Sequence, residues 1–172
     1  MRSKNGPAAD ILKKCRGIRM VAMDVDGVLT DGRIIYSADG IEYKLFDAHD
    51  GYGIDRGAGK GLKFAVVSAR SSKATAKRAR ELGVLEIHQG VSEKMAVIRR
   101  LLKRYGLRNE ELCYIGDDEL DRPALEAAGL SAAPADAMPE IRSLVDYVAK
   151  SGGGRGAVRE VVDMILRAKK LI

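Results

Sequence analysis

Asp24-Val25-Asp26-Gly27-Val28-Leu29-Thr30-Asp31-Gly32 follows directly on the apolar run Ile18, Met20, Val21, Ala22 and Met23, and the junction between the two decides the fold. A short apolar run bounded by glycines has the pattern of a buried strand, so both aspartates fall where that strand ends. Side chains two apart on extended backbone share a side. Asp24 and Asp26 therefore face one point in solvent while Val25 turns back into the core, and Gly27 lets the chain bend sharply and leaves room for a ligand. Two carboxylates about 5 Å apart repel by roughly 3 kcal/mol at an effective dielectric near 20. The pair calls for a cation, a shared proton or water; taken alone, it also reads as an Asp- and Gly-rich turn.

Downstream, Ile34 to Ser37 and Glu42 to Phe46 flank Ala38-Asp39-Gly40, and Asp-Gly between two β-rich runs signals a hairpin. It would rise beside the site and is too small for a domain-sized lid. Asp47 to Gly53 reads as a polar, glycine-rich loop, followed by a helix over Ile54–Lys60 that Gly61 ends. Leu62–Val67 is a second buried strand ending at Ser68-Ala69-Arg70, after which Ser71 or Ser72 caps a helix through Leu82, stopped by Gly83. A strand at Leu85–His88 leads to a helix capped by Ser92, with Met95, Ile98, Leu101, Leu102 and Tyr105 at helical spacing up to Gly106. The strand Leu112–Ile115 then runs into Gly116-Asp117-Asp118-Glu119-Leu120-Asp121. Pro123 fits the first turn of a helix closed by Gly129, and strands at Leu130–Ala133 and Asp146–Ala149 enclose a helix over Pro139–Leu144. Ser151 to Gly156 reads as a flexible loop, and Val158, Val161, Val162 and Ile165 line one face of a final helix.

Strands alternating with helices at this spacing predict an α/β fold: a three-layer, Rossmann-like, mostly parallel sheet with helices on both faces. In such sheets ligands bind at the carboxyl ends of the strands. Asp24 and Asp26, Ser68, and Asp117 and Asp118 all fall at predicted carboxyl ends, which weighs against the plain turn reading. A cluster of hard carboxylate oxygens with no cysteine cluster and no His pair favours Mg²⁺ over zinc. A hydroxyl at Ser68 and a single positive charge at Lys94 suit the oxygens of a phosphate. The pieces add up to phosphoryl transfer.

Length sets the scale: 172 residues give one domain with a real core, residues 1–172, in which 1–17 form an N-terminal extension with a short amphipathic helix over Ala8–Cys15. That extension is basic but lacks the apolar stretch of a secretory signal, and no segment is long enough to cross a bilayer. Cys15 and Cys113 stand outside any Cys-x-x-Cys or Cys/His cluster, so neither a zinc site nor a disulfide framework is indicated and a reducing cytoplasm fits. The formal charge of +6 suits an anionic partner. Nucleic acid is the weaker candidate, because the basic residues are dispersed and aromatics make up only 5% of the chain.

DVDGVLTDG, VVSAR, Lys94 opening a helix, and IGDDELD resemble the four motifs of the haloacid dehalogenase superfamily of phosphatases, over Met20 to about Leu166. Within it, the runs from Asp50 to Ile54 and from Gly153 to Glu160 resemble the small capless phosphatases that act on 3-deoxy-D-manno-octulosonate 8-phosphate. The resemblance implies that Asp24 is the nucleophile, forming an aspartyl-phosphate, and that Asp26 is the acid and then the base. It implies Mg²⁺ held by Asp24, the backbone carbonyl of Asp26 and Asp117, with Asp118 and Asp121 orienting water and Lys94. Ser68, the Ala69 N–H and Lys94 would grip the phosphoryl oxygens. Asp26, the loop Asp47-Ala48-His49-Asp50-Gly51, and Arg70, Arg78 and Arg155 would meet the sugar acid, the guanidinium groups facing its carboxylate.

The family further implies homotetramers in which a neighbouring chain closes the mouth. Relatives acting on nine-carbon nonulosonate 9-phosphates tend to carry Glu where Arg70 stands, so Arg70 points to the eight-carbon substrate. Ala69 replaces a usual Gly, and His49 stands where relatives often have Arg. The alternatives are a nonulosonate phosphatase and a catalytically silent assembly module like those fused to sugar-nucleotide synthetases.

Overall fold

The structure, a computed structural model, describes residues 7–172. Met1 to Gly6 of the expected N-terminal extension lie outside the described residues. Helix α1 (Pro7–Gly17) leads into β1 (Met20–Met23), and the hairpin strands β2 (Ile35–Tyr36) and β3 (Glu42–Tyr43) follow. Next come α2 (Ala48–Gly59), β4 (Lys63–Val67), α3 (Lys73–Glu81), β5 (Glu86–His88), α4 (Lys94–Tyr105) and β6 (Leu112–Ile115). The chain ends with α5 (Arg122–Ala127), β7 (Leu130–Ala133), α6 (Pro139–Leu144), β8 (Tyr147–Val148) and α7 (Ala157–Ala168).

The main sheet has the order β5-β4-β1-β6-β7-β8, and every neighbouring pair runs parallel. Alternation along each strand splits the core in two. Val21, Met23, Phe64, Val66, Cys113 and Ile115 pack on one face under α1, α2, α3 and α7. Met20, Ala22, Ala65, Val67, Leu112 and Tyr114 pack on the other under α4, α5 and α6. Buried on both faces, β1 can be built only from apolar residues, hence its unbroken Met-Val-Ala-Met. The result is a three-layer α/β sandwich with a small two-stranded hairpin and, among the described residues, no cap domain.

Register places the site. Met23 pairs with both Val66 and Ile115, so β1, β4 and β6 end within one residue of one another. The residues that follow, Asp24, Ser68 and Asp117, therefore emerge along one rim.

Three local expectations are corrected. Asp47 to Gly53 is not a loop: Asp47 caps α2 by accepting the His49 N–H at 2.5 Å, and the helix starts six residues before Ile54. Its glycines serve packing, since a Cβ on Gly53 would lie 3.0 Å from Arg159 Cα of α7, and one on Gly57 would lie 2.7 Å from Phe64 Cζ. Ser92 does not cap α4: Glu93 holds the N-cap position and makes no side-chain cap bond. The glycine-rich stretch after β8 is fixed to the first motif and to the loop after β7, with Gly154 N–H donating to Val28 O at 2.9 Å and Gly153 N–H to Asp136 Oδ1 at 2.8 Å. Of the two serines offered as the cap of α3, Ser72 takes the place, and a smaller difference is that Ala128 rather than Gly129 ends α5. No described helix is long and apolar enough to cross a membrane.

Candidate active site

The Asp24 side chain leaves the end of β1 while its backbone stays in the sheet, the N–H donating to Ile115 O at 3.1 Å. Val25 is fully buried, and its carbonyl accepts from Val28, Leu29 and Thr30 at 2.9 to 3.2 Å, which closes the motif into a tight turn. Gly27 has φ +85°, and a Cβ there would lie 2.0 Å from Asp117 Oδ2. The room that glycine leaves is thus occupied by the carboxylate of Asp117, carried in from the end of β6.

Asp24, Asp117 and Asp121 each present an oxygen within 4.8 Å of the others. Lys94 bridges two of them, its Nζ 2.6 Å from Asp24 Oδ2 and 2.7 Å from Asp121 Oδ1, and among the described residues no other cation pairs with the three. Asp121 is fully buried and saturated: Oδ1 also accepts from Tyr114 OH at 2.7 Å, and Oδ2 from the N–H groups of Asp117 and Asp118 at 3.1 and 3.5 Å. Asp117 Oδ1, by contrast, is buried without a hydrogen-bond partner. Burial pushes the Asp117 carboxyl up to about 8, reinforced by the charges of Asp121, Asp24 and Asp118. Burial and Asp121 push Asp24 up to about 6, against the opposing pull of Lys94. Burial would lower the Lys94 ammonium, but Asp121 and Asp24 outweigh it and hold it above its ordinary value. One ammonium against three carboxylates leaves negative charge unbalanced, and one Asp117 oxygen is left without a partner. An all-oxygen donor set of this kind fits Mg²⁺, with Asp24 and Asp117 as the carboxylates still able to bind it.

Ser68 is 3% exposed and held by its backbone, which donates to His88 O and accepts from Val91 N–H. Its hydroxyl accepts the Arg70 N–H at 3.3 Å, and the helix-capping task falls to Ser72 instead. Ala69 and Arg70 are exposed beside it. Asp26 stands between two cations: Lys44 is paired with Oδ1, and Arg70 Nε lies 3.4 Å from Oδ2. Glu42 ties these cations together at 3.1 Å from Lys44 and 3.4 Å from Arg70, and Tyr36 OH accepts from Arg70 at 3.2 Å. Burial would raise the Glu42 carboxyl, but Lys44 and Arg70 hold it below its usual range.

Tyr36, Glu42 and Lys44 are absent from the sequence candidates. Their signal was the alternation of Glu42 and Lys44 with Ile41, Tyr43 and Leu45, which sends the charges to one side of the hairpin.

The expected sugar-binding residues are placed less uniformly. Asp50 is 1% exposed and spends both oxygens on backbone, accepting Gly156 N–H at 3.2 Å and Arg159 N–H at 2.9 Å. It ties α2 to the start of α7. Ala48 and His49 are exposed on the first turn of α2, the His49 ring 3.1 Å from Asp47 Oδ1. Arg78 reaches across to Gly51, where an added Cβ would meet Nη2 at 2.3 Å. Arg155 is exposed on the glycine-rich stretch, with no ion-pair partner among the described residues. Asp118 is exposed and caps the turn Glu119–Asp121 through the Glu119 N–H at 2.7 Å; it is Asp121 that holds Lys94.

Comparison with known proteins fits this geometry. The family profile of haloacid dehalogenase-like hydrolases matches residues 80–161. A 3-deoxy-D-manno-octulosonate 8-phosphate phosphatase of Escherichia coli K12 is 41% identical over 165 residues, covering 95% of this chain and 88% of that protein. The chain belongs to the haloacid dehalogenase-like hydrolases. Within this family, the crystal structure of the corresponding phosphatase from Yersinia pestis superposes with a TM-score of 0.92 at 40% identity, covering 94% of this chain and 87% of that one. The Moraxella catarrhalis phosphatase, solved with magnesium, phosphate and 3-deoxy-D-manno-octulosonate, gives a TM-score of 0.92 at 38% identity, over 94% of this chain and 92% of that one. The architecture of these relatives is therefore present in this chain from β1 to α7.

Proposed function

We propose that the chain is a Mg²⁺-dependent phosphatase that hydrolyses 3-deoxy-D-manno-octulosonate 8-phosphate to the free sugar acid and phosphate. The observation that carries this reading is the convergence of Asp24, Lys94, Asp117 and Asp121 at one rim of the sheet, with an Asp117 oxygen left unpartnered. Asp24, the backbone carbonyl of Asp26 and Asp117 hold Mg²⁺. When bound, it supplies the positive charge that offsets repulsion between a carboxylate nucleophile and a phosphate dianion.

Asp24 attacks phosphorus, forming an Asp24 O–P bond as the P–O bond to the sugar breaks, and Asp26 gives its proton to the departing sugar oxygen. Asp26, now a carboxylate, takes a proton from water, which attacks phosphorus and releases Asp24 and phosphate. Ser68, the Ala69 N–H and Lys94 hold the phosphoryl oxygens, and Asp121 keeps Lys94 in place. Arg70, Arg78 and Arg155 offer guanidinium groups to the sugar-acid carboxylate, with Asp47, Ala48, His49 and Gly51 at the mouth and Asp50 anchoring their helix.

The hairpin supports a homotetramer in which a neighbouring subunit closes the open site. Its polar side faces Asp26, while Ile41, Tyr43 and Leu45 on the other are 56, 51 and 67% exposed, an apolar surface suited to other copies of the hairpin. We place the protein in the cytoplasm as a single domain including α1, with Cys15 and Cys113 as buried free thiols. Tyr43→Glu with Leu45→Glu is expected to shift the mass seen by light scattering to a smaller species; an unchanged mass rules out the hairpin interface.

The test of function is phosphate release from the eight-carbon substrate with Mg²⁺, with chelator, and against a nonulosonate 9-phosphate. Expected is Mg²⁺-dependent turnover that prefers the eight-carbon acid and loses that preference in Arg70→Glu. Faster turnover of the nine-carbon ester would move the substrate assignment, and no turnover of any phosphate ester would favour the silent module.

A further inference from the structure

We propose that Lys44 is the positioning residue for Asp26, fixing the carboxyl group for both of its proton transfers. The inference rests on the phosphatase reading above and assigns a task to a residue of the hairpin that no part of that reading uses.

A lysine is almost never fully buried unless it is paired. The Lys44 side chain is 2% exposed, yet it sits on a hairpin whose other large residues lie open to solvent. Its burial comes from reaching inward to the rim, where Nζ pairs with Asp26 Oδ1 and lies 3.1 Å from Glu42 Oε1. Taking an ammonium out of water in this way is costly unless its partners are well placed.

The two cations on Asp26 are unequal. Arg70 lies 3.4 Å from Oδ2, its side chain is 43% exposed and its contacts with Glu42 and Tyr36 are solvent-facing, so it can exchange them for a substrate carboxylate. Lys44 is enclosed, and Glu42 holds it from the other side. When Arg70 turns away, Oδ2 opens toward the leaving oxygen while Lys44 keeps Oδ1, and with it the plane of the carboxyl group. An acid and base acting in two successive steps must sit within hydrogen-bond reach of each proton, and a misplacement of about 1 Å costs on the order of a hundredfold in rate.

The experiment uses the Mg²⁺-loaded full chain, comparing wild type with Lys44→Met, Lys44→Gln and Lys44→Arg, each checked for a native melting transition. On the sugar phosphate, Lys44→Met and Lys44→Gln are expected to lower kcat by about a hundredfold with KM changed by less than about threefold, and Lys44→Arg to recover most of the loss. On p-nitrophenyl phosphate, whose leaving group departs without a proton, the same two variants should release a burst of one nitrophenolate per active site before slow turnover. The burst arises because phosphoryl transfer to Asp24 proceeds while water activation by Asp26 stalls. A merely structural lysine would not produce it. An unchanged kcat in a folded variant, a raised KM with kcat retained, or loss of the fold in both neutral variants would each overturn the proposal, the last by assigning Lys44 to stability. A wild type inert on the sugar phosphate but active on the aryl phosphate overturns the substrate assignment alone, and the burst then decides the role of Lys44.

Discussion

Gly27 shows how a single residue serves both the backbone and the site. Its φ of +85° is costly for any side chain by about 1–2 kcal/mol, and its missing Cβ is the space taken by Asp117. Gly27→Ala is therefore expected to lower stability by about that amount and, by displacing Asp117, to weaken Mg²⁺ binding measured by calorimetry at least about tenfold. Mg²⁺ affinity equal to wild type would show that Asp117 does not need that space.

The carboxyls of Asp24 and Asp117 lead to a second expectation. A carboxyl whose native value lies above its unfolded value of about 4 binds its proton more tightly when folded, so it stabilises most at low pH. That contribution is lost as pH rises through about 6 for Asp24 and about 8 for Asp117. The melting temperature in chelator should then fall by several degrees between about pH 5 and pH 8, a window above the titration of ordinary carboxylates. Mg²⁺ should restore it increasingly toward the alkaline end. A chelated protein whose stability rises or stays flat over that window contradicts the charge imbalance described here.

At the scale of elements, legibility in the sequence followed the range of the forces involved. Strands β1, β4 and β6 were readable because burial on both faces demands an unbroken apolar run, which no loop imitates. Helix α2 was misread because Asp47-Ala48-His49-Asp50-Gly51-Tyr52-Gly53 carries loop residues for tertiary reasons. Its glycines admit α7, β4 and Arg78, and Asp50 binds backbone more than a hundred residues away. Local propensity contains neither fact. Asp50→Ala leaves two backbone N–H groups without their acceptor and should cost about 2–4 kcal/mol in denaturant unfolding; a loss below about 0.5 kcal/mol would show that the tie is not needed. Lys44 escaped notice for a related reason, since a lysine alternating with apolar residues on a short strand ordinarily points to water.

On the scale of the whole molecule, one device recurs: parallel strands that end within one residue of one another bring distant segments to a common rim. Asp24, Ser68, Lys94 and Asp117 come from four stretches of chain, and the nearly level ends of β1, β4 and β6 set three of them there. Lys94 arrives on the first turn of α4 and is drawn in by Asp24 and Asp121. The hairpin adds Lys44 and Glu42 from outside the sheet, which lets a chain without a cap domain surround Asp26 with charge.

The most direct measurement is an acid-quenched single turnover with substrate labelled in its phosphoryl group, followed by peptide mapping. The expected result is label on the peptide containing Asp24 when Mg²⁺ is present, with no label and no turnover in a folded Asp24→Asn protein. Near-normal phosphate release by Asp24→Asn, or label carried on another residue, would contradict Asp24 as the nucleophile.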